Sequence, residues 1–585
     1  MKTLKYIVPV FTLIFGINAT LRAEDSIINR NVTVEREYKP LIKDAGKINS
    51  IPKALEPVVE KTAPKFSDFN LPLNAEFNIH TLAAAELQRE KRPDFKGGFA
   101  RLGFGNYFNS LADFAYPIIK KPDLRLDVSL NHLATFGKKA HSLTKGAFSL
   151  DKDFKTINLY AGLGGGHEYF NYYGNNFDAN NKVIILDTLL VNNPTYGAET
   201  YNKPSNNGSQ TIRLDSLAAA PENNYFWRFN AYAGVRSLTL AKGIQYQMEL
   251  NYNLLSPGVG ITEHHFVTKG GISSELKNNR VGIDFRMDNL MYRSDSTNNG
   301  YSIVTFNPYY SIQKQNLNIR IGVKSSFSFT NDTLLINPTA DITAEWKVIP
   351  KSFSIYGGLT GSYDVNTMNK IFTENRYINS SVQVENTYTP FNVYTGIKVK
   401  PIYNLLVDAY LDYKYFKNQY FFVNEQYSSG SAIIPIENLM LYSNRFNVIY
   451  DTASHLKIGM RANYNIRNRV NVELKAAIND WNLLTEQYAW NKPEWEASLS
   501  TDVHINRELS LSLNTFLDGP RYAKIGTSAI RMRPIVDINI GASYLFNNWL
   551  SGFLKVNNLI NNTYQHYYGY QVQGFNVLIG GAVSF

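Results

Sequence analysis

Two short runs bring together side chains that could do chemistry: Glu263-His264-His265 and Gly164-Gly165-Gly166-His167-Glu168. A carboxylate with two imidazoles can hold a divalent metal, and a glycine-rich loop can cradle a phosphate. Their spacing argues against both. Neighbouring side chains on a strand point to opposite faces, so His264 and His265 cannot share one metal as an i, i+4 helical pair can. No helical pattern follows Gly166, as a phosphate loop requires. The first run reads as exposed polar residues at a strand start, the second as a strand kink or bulge. Nucleophilic catalysis needs a Ser or Cys, a base and an orienting group brought together. No spacing among the 9 His residues singles out such a set. No catalytic residue, cofactor site or metal ligand is therefore expected, and the chain does not read as an enzyme. It has no Cys, which excludes disulfides, cysteine metal sites and a lipid anchor on an N-terminal Cys.

The elements around these runs are strands. Leu317, Ile319, Ile321 and Val323 alternate with Asn318, Arg320, Gly322 and Lys324. The same period of two recurs at Leu124–Asn131, Val470–Asn479 and Val536–Phe546. One face is apolar and the other polar or charged, over more strands than a sandwich accommodates. The sequence predicts an all-β transmembrane antiparallel barrel, with an even number of strands, roughly 14–22. The final segment, 575–585, alternates through Val577, Ile579, Val583 and Phe585. Such a strand fits a barrel, where the last strand pairs with the first. Short connections (Asn278-Asn279, Gln315-Asn316, Arg467-Asn468, Asn506-Arg507, Asn547-Asn548) alternate with long ones (171–225, 364–390, 482–493, 518–534 and 560–574). Short periplasmic turns and long extracellular loops give that rhythm.

Three parts follow. Lys2 and Lys5 precede an apolar run over residues 6–17, with Leu21-Arg22-Ala23 ahead of a cleavage point, so 1–23 read as a secretory signal peptide. Residues 24–95 carry Pro40, Pro52, Pro57, Pro64, Pro72 and Pro93 and read as an irregular periplasmic arm, or one threading into the barrel mouth. Only 81–90 look helical there. The barrel occupies 96–585, with 171–225 as its largest loop. The net charge of +10 is scattered along strands and turns. It suits anionic lipid headgroups or a charged lumen, not nucleic acid.

The end of the chain resembles the barrels of TonB-dependent outer-membrane receptors, especially those of Bacteroidota. The residues are Lys555-Val556-Asn557-Asn558-Leu559-Ile560-Asn561-Asn562-Thr563-Tyr564, then Gly569-Tyr570 and Gly574-Phe575. Leu559 and Tyr564 bracket a surface loop, and Gly574 would let the chain turn back into the membrane. The run Tyr450–Leu456 looks like a hairpin of the same barrel. The resemblance implies a transport barrel in the cell outer membrane. Members carry a folded plug before the barrel, and the Pro-rich 24–95 show no strand alternation for one. Asn31-Val32-Thr33-Val34-Glu35 reads as a short extended segment.

Two functions follow from this reading, beside a third, an outer-membrane enzyme, which would need a rim cluster of Ser, His and Asp that the spacing does not offer. One is a pore or transport barrel without its own plug. The other is a non-transporting subunit of a larger complex, with surface lipoproteins or barrel-assembly proteins as partners beside the membrane lipids. Tyr169-Phe170 and Tyr172-Tyr173 are expected in a membrane-interface girdle. Tyr413, Tyr415, Phe416, Tyr420, Phe421 and Phe422 are equally compatible with a girdle or with a stacking or docking surface. Within 171–225, Val183-Ile184-Ile185-Leu186 and Leu189-Leu190-Val191 argue against a merely solvated loop. Asp187-Thr188-Leu189, Asp215-Ser216-Leu217 and Asp332-Thr333-Leu334 resemble an O-glycosylation sequon.

Overall fold

The computed structural model describes residues 97–585, apart from 175–176, 179–182, 186–210, 214–222, 239–242, 278, 295–297, 331–332, 427–441 and 467–468. The expected signal peptide and the Pro-rich arm lie outside these residues. So do Leu189-Leu190-Val191 and all or part of each glycosylation-like triplet.

The alternating segments form a closed antiparallel barrel of 22 strands, at the upper end of the expected range. The first strand, Phe99–Gly105, pairs with the last, Asn576–Ser584, from Phe99 opposite Ser584 to Gly105 opposite Leu578. Closure leaves neither the first nor the last barrel strand as a free edge. The faces follow the sequence pattern. In the strand Leu317–Thr330, Ile321 and Val323 are exposed on the outside, while Arg320 and Lys324 both reach Asp341 of the neighbouring strand on the inside. An apolar exterior and a charged interior are what lipid outside and water inside select. The chain is an outer-membrane barrel.

Tyrosine contributes to the lumen as well as to the girdles. Tyr160 faces Gly234, Tyr232 faces Gly162, Tyr356 faces Gly396 and Tyr410 faces Gly459 across paired strands. A Cβ at any of these glycines would stand about 2.3–2.5 Å from the ring, so the glycine is the space in which the tyrosine lies.

The short turns, including Gln315-Asn316, Asn506-Arg507 and Asn547-Asn548, lie at the end that carries Phe585; Ser584 N donates to Trp549 O there at 2.8 Å. The long connections lie at the other, extracellular end. The wall is uneven in height. The strands Leu405–Gln426 and Tyr442–Ile466 have 22 and 25 residues, far more than the ~10 that cross a bilayer. At the closing seam, the strands Leu550–Asn557, Asn576–Ser584 and Phe99–Gly105 have only 8, 9 and 7.

Three local expectations are corrected. Gly164-Gly165-Gly166 pair in register with both neighbouring strands, without a bulge, because the ladder tolerates glycine where no side chain must pack. Tyr450–Leu456 is not a hairpin but the middle of the 25-residue strand. Gly574 is not in the left-handed region; a Cβ there would meet Asn561 Oδ1 at 2.4 Å, so its role is to make room.

Candidate functional site at the extracellular mouth

The connection 365–386 carries the helix Met368–Glu374. Seven residues are too few to be stable alone in water. The helix is held at its N-terminal end by two side chains. Thr367 caps it, its Oγ1 accepting from Lys370 N at 3.0 Å. The carboxylate of Glu263, on the barrel wall, accepts from Met368 N at 2.5 Å and Asn369 N at 3.2 Å. Met368, Ile371 and Phe372 are buried inward.

From the helix the chain crosses the mouth. Asn379 N donates to Phe446 O at 2.8 Å and Phe446 N to Tyr377 O at 2.9 Å, so this stretch pairs with the strand Tyr442–Ile466. Ser380 O accepts from Ile261 N at 2.9 Å at the turn 258–261. Gly260, at φ +129°, permits that approach; a Cβ there would meet Ser380 O at 2.4 Å. The turn and the strand lie far apart around the ring, so the connection bridges the opening.

A buried apolar cluster fills the space beneath. Phe170, Phe226 and Leu255 come from the fifth to seventh strands, and Tyr420, Phe422 and Phe446 from the fifteenth and sixteenth. In a ring of 22 strands these are nearly opposite walls, so a cluster joining them must span the mouth. Tyr567 and Tyr570, from the connection 558–575, complete it. Tyr570 stacks on Tyr377 with centroids 3.6 Å apart, meets Tyr173 edge-on at 4.9 Å and donates its hydroxyl to Asn444 O. Burial pushes the Tyr567 and Tyr570 phenols above their ordinary range, so both stay neutral donors. Phe226 stacks on Phe372 at 4.8 Å.

Charged groups rim this core. Glu168 is buried and meets Arg228 at 2.5 Å, His141 at 3.1 Å and Arg376 of the closing connection at 3.0 Å. Removing a buried charge strands its partners. Glu168→Gln is therefore expected to loosen the closure by on the order of 3 kcal/mol. Hydrogen exchange checks this: the Ile371 and Asn375 amides, bonded to Thr367 O and Ile371 O, should lose protection while strand amides keep theirs.

Glu374 bonds Lys492 at 2.8 Å and Tyr420 Oη at 2.6 Å. Burial alone would raise its pKa, but Lys492 and Tyr420 hold the carboxyl below its ordinary 4.5. A depressed carboxyl stabilises the closed form fully above that value and loses the contribution as pH falls through its lower folded value. A nitroxide on Thr373→Cys, at an exposed position, should be immobilised at neutral pH and gain mobility as pH falls below 4.5. Glu374→Gln should weaken that pH dependence, leaving the part carried by Glu168.

The runs that opened the sequence reading sit here in unforeseen roles. Glu263 and His265 are buried, not exposed, and the closing helix covers Glu263. His264 does face the other side, bonding Tyr252 Oη at 2.9 Å, while His265 bonds Asp288 at 2.8 Å. Phe170 and Tyr172 belong to the closure rather than to a girdle, and Tyr173 packs against it. The second aromatic group divides. Tyr413 and Tyr415 stack beside Phe391 on the outside, Tyr420 and Phe422 join the closure, and Phe416 and Phe421 pack with Trp490 in the tall wall. Sequence reasoning missed Arg228, Arg376, Phe226, Phe372, Phe446 and Tyr567. Among the described residues, no group of three or more His, Cys, Asp or Glu could hold a metal.

No protein-family model matches the sequence, and no curated protein matches it. Solved structures match the fold. The pyoverdine outer membrane receptor FpvA from Pseudomonas aeruginosa PAO1 aligns with a TM-score of 0.58 at 11% identity, over 85% of this chain and 79% of that one. The ferric-catecholate import receptor Fiu from K12 E. coli gives 0.57 at 11%, over 84% and 82%. The siderophore receptor PirA from Acinetobacter baumannii gives 0.58 at 10%, over 84% and 80%. The shared fold is that of TonB-dependent outer-membrane receptors.

Proposed function

We propose that this chain is a receptor-like transport barrel of the outer membrane, without its own plug, whose extracellular mouth is closed and gated by its own loops. The observation that carries the reading is the apolar cluster spanning the mouth from nearly opposite walls, above a lumen lined with charged and polar groups. A water-lined passage with one apolar barrier is a gated conduit, because such a barrier stops ions without filling the lumen. The receptor fold of the structural neighbours supports transport rather than catalysis. In this reading residues 24–95 act in the periplasm.

The extent of the buried packing also supports a second reading, a non-transporting subunit of a larger outer-membrane complex. Purification of the tagged chain from native outer membranes separates the two. Recovery alone, with conductance once the closure is removed, is the expected result. Stoichiometric recovery of barrel-assembly proteins or surface lipoproteins, with no conductance, would replace transport by the second reading.

A further inference from the structure

The wall is lowest at the closing seam. The strand Phe99–Gly105, 7 residues long, rises roughly 18 Å at ~3.3 Å per residue and a tilt of ~40°. The apolar band of such barrels is about 25 Å tall. The strand therefore ends several ångströms short of the outer membrane surface.

Above it the apolar surface continues on turns. Leu102 and Phe104 are exposed on the outer face of the strand, and Phe108, at the turn that follows, is 82% exposed. Phe136, 61% exposed, sits beside it on the next extracellular turn, its N–H donating to Tyr107 O at 3.3 Å. Ile560 and Phe575, from the connection at the same seam, are exposed as well; Asn106 Nδ2 donates to Phe575 O at 2.9 Å. Tyr107 and Phe108 are held at φ 56° and 52°, a region aromatic residues rarely adopt. An unfavourable backbone that presents an aromatic ring outward, where water would oppose it, points to a function for that ring. The segments 104–109, 136–140, 558–564 and 572–576 contain no Asp or Glu, and Lys138 and Lys139 lie among them. Aromatic rings with nearby lysines are the composition of a membrane interface.

We propose that this rim is a lipid-binding site: outer-leaflet acyl chains cover Phe108, Phe136, Ile560 and Phe575, and the bilayer meets the extracellular loops at the seam. The site is continuous with the lipid-facing wall below it, which identifies lipid rather than a protein as the occupant. The membrane then reaches the edge of the closure on this side, while the strands of 22 and 25 residues hold the far rim clear of it.

The absence of Cys makes single-site labelling of the full chain clean. Nitroxides on Phe108→Cys and Phe136→Cys would be examined in vesicles of phosphatidylcholine and phosphatidylglycerol. Ile321→Cys on the outer wall serves as the lipid reference and Leu484→Cys, at an extracellular turn, as the water reference. The expected result is relaxation by oxygen over a polar nickel chelate in a ratio within about two-fold of that at Ile321→Cys. Ratios matching Leu484→Cys at both positions would overturn the proposal. So would shielding from both reagents in native outer membranes with chelate access in vesicles, which would make the occupant a protein.

Discussion

Replacing residues 366–386 with a short glycine-containing turn should raise steady ion conductance in planar bilayers by at least about ten-fold over the intact chain. The replacement is geometrically simple, because Asp364 and Thr387 are already paired across the base of the connection. It removes the helix, Arg376, Tyr377 and the bridge from Phe446 to the turn 258–261, and leaves every barrel strand intact. What remains of the cluster, Phe170 and Phe226 on one side and Phe422 and Phe446 on the other, belongs to separate walls, with only Tyr567 and Tyr570 left between them. Heat-resistant migration on gels would establish that the barrel still folds. A folded variant that stays silent would refute the gate and favour the subunit reading.

Tyr570→Ala tests the same closure from the opposite loop. Tyr570 is 2% exposed and touches Tyr377, Tyr173 and Phe446, so it joins three separate segments. Truncating a buried aromatic side chain costs about 3–5 kcal/mol. If that cost falls on the closed state alone, the open fraction rises roughly 10²-fold or more. Single-channel recordings should show frequent openings where the parent chain is closed. Tyr570→Phe keeps the ring and loses only the hydroxyl's hydrogen bonds to Asn444 O and the Gly174 backbone, a change of about 1 kcal/mol each, and should stay closer to the parent than Tyr570→Ala. Equal behaviour of the two variants would mean that the stacked rings do not hold the mouth shut.

The membrane barrel was legible because its signals are local. Leu317 to Lys324 carry their period of two whatever surrounds them, and a strand in lipid must be apolar on one face and satisfied at every backbone group. The alternation of short and long connections is equally local, since tight turns need only their own residues. The same pattern could not say where the membrane stops. Tyr442–Ile466 continues as one strand above the bilayer because Leu405–Gln426 continues beside it, and the sequence reading placed a hairpin there.

The closure was not legible at all. Glu168, Arg228 and Arg376 come from three segments, and an ion pair across so long a separation leaves no spacing to read. Glu263 looked like a solvent-exposed carboxylate beside two histidines; its role as the cap of a helix more than a hundred residues away exists only in the folded barrel. Tyr160, Tyr232, Tyr356 and Tyr410 lie over glycines of paired strands, because register decides which residue stands opposite which. By itself, then, the sequence determined a lipid-facing wall of strands, since alternation and turn chemistry act between neighbours in the chain. Tertiary structure alone decided the strand count of 22, the uneven rim and the sealed mouth, since these depend on which distant walls the closed ring brings together.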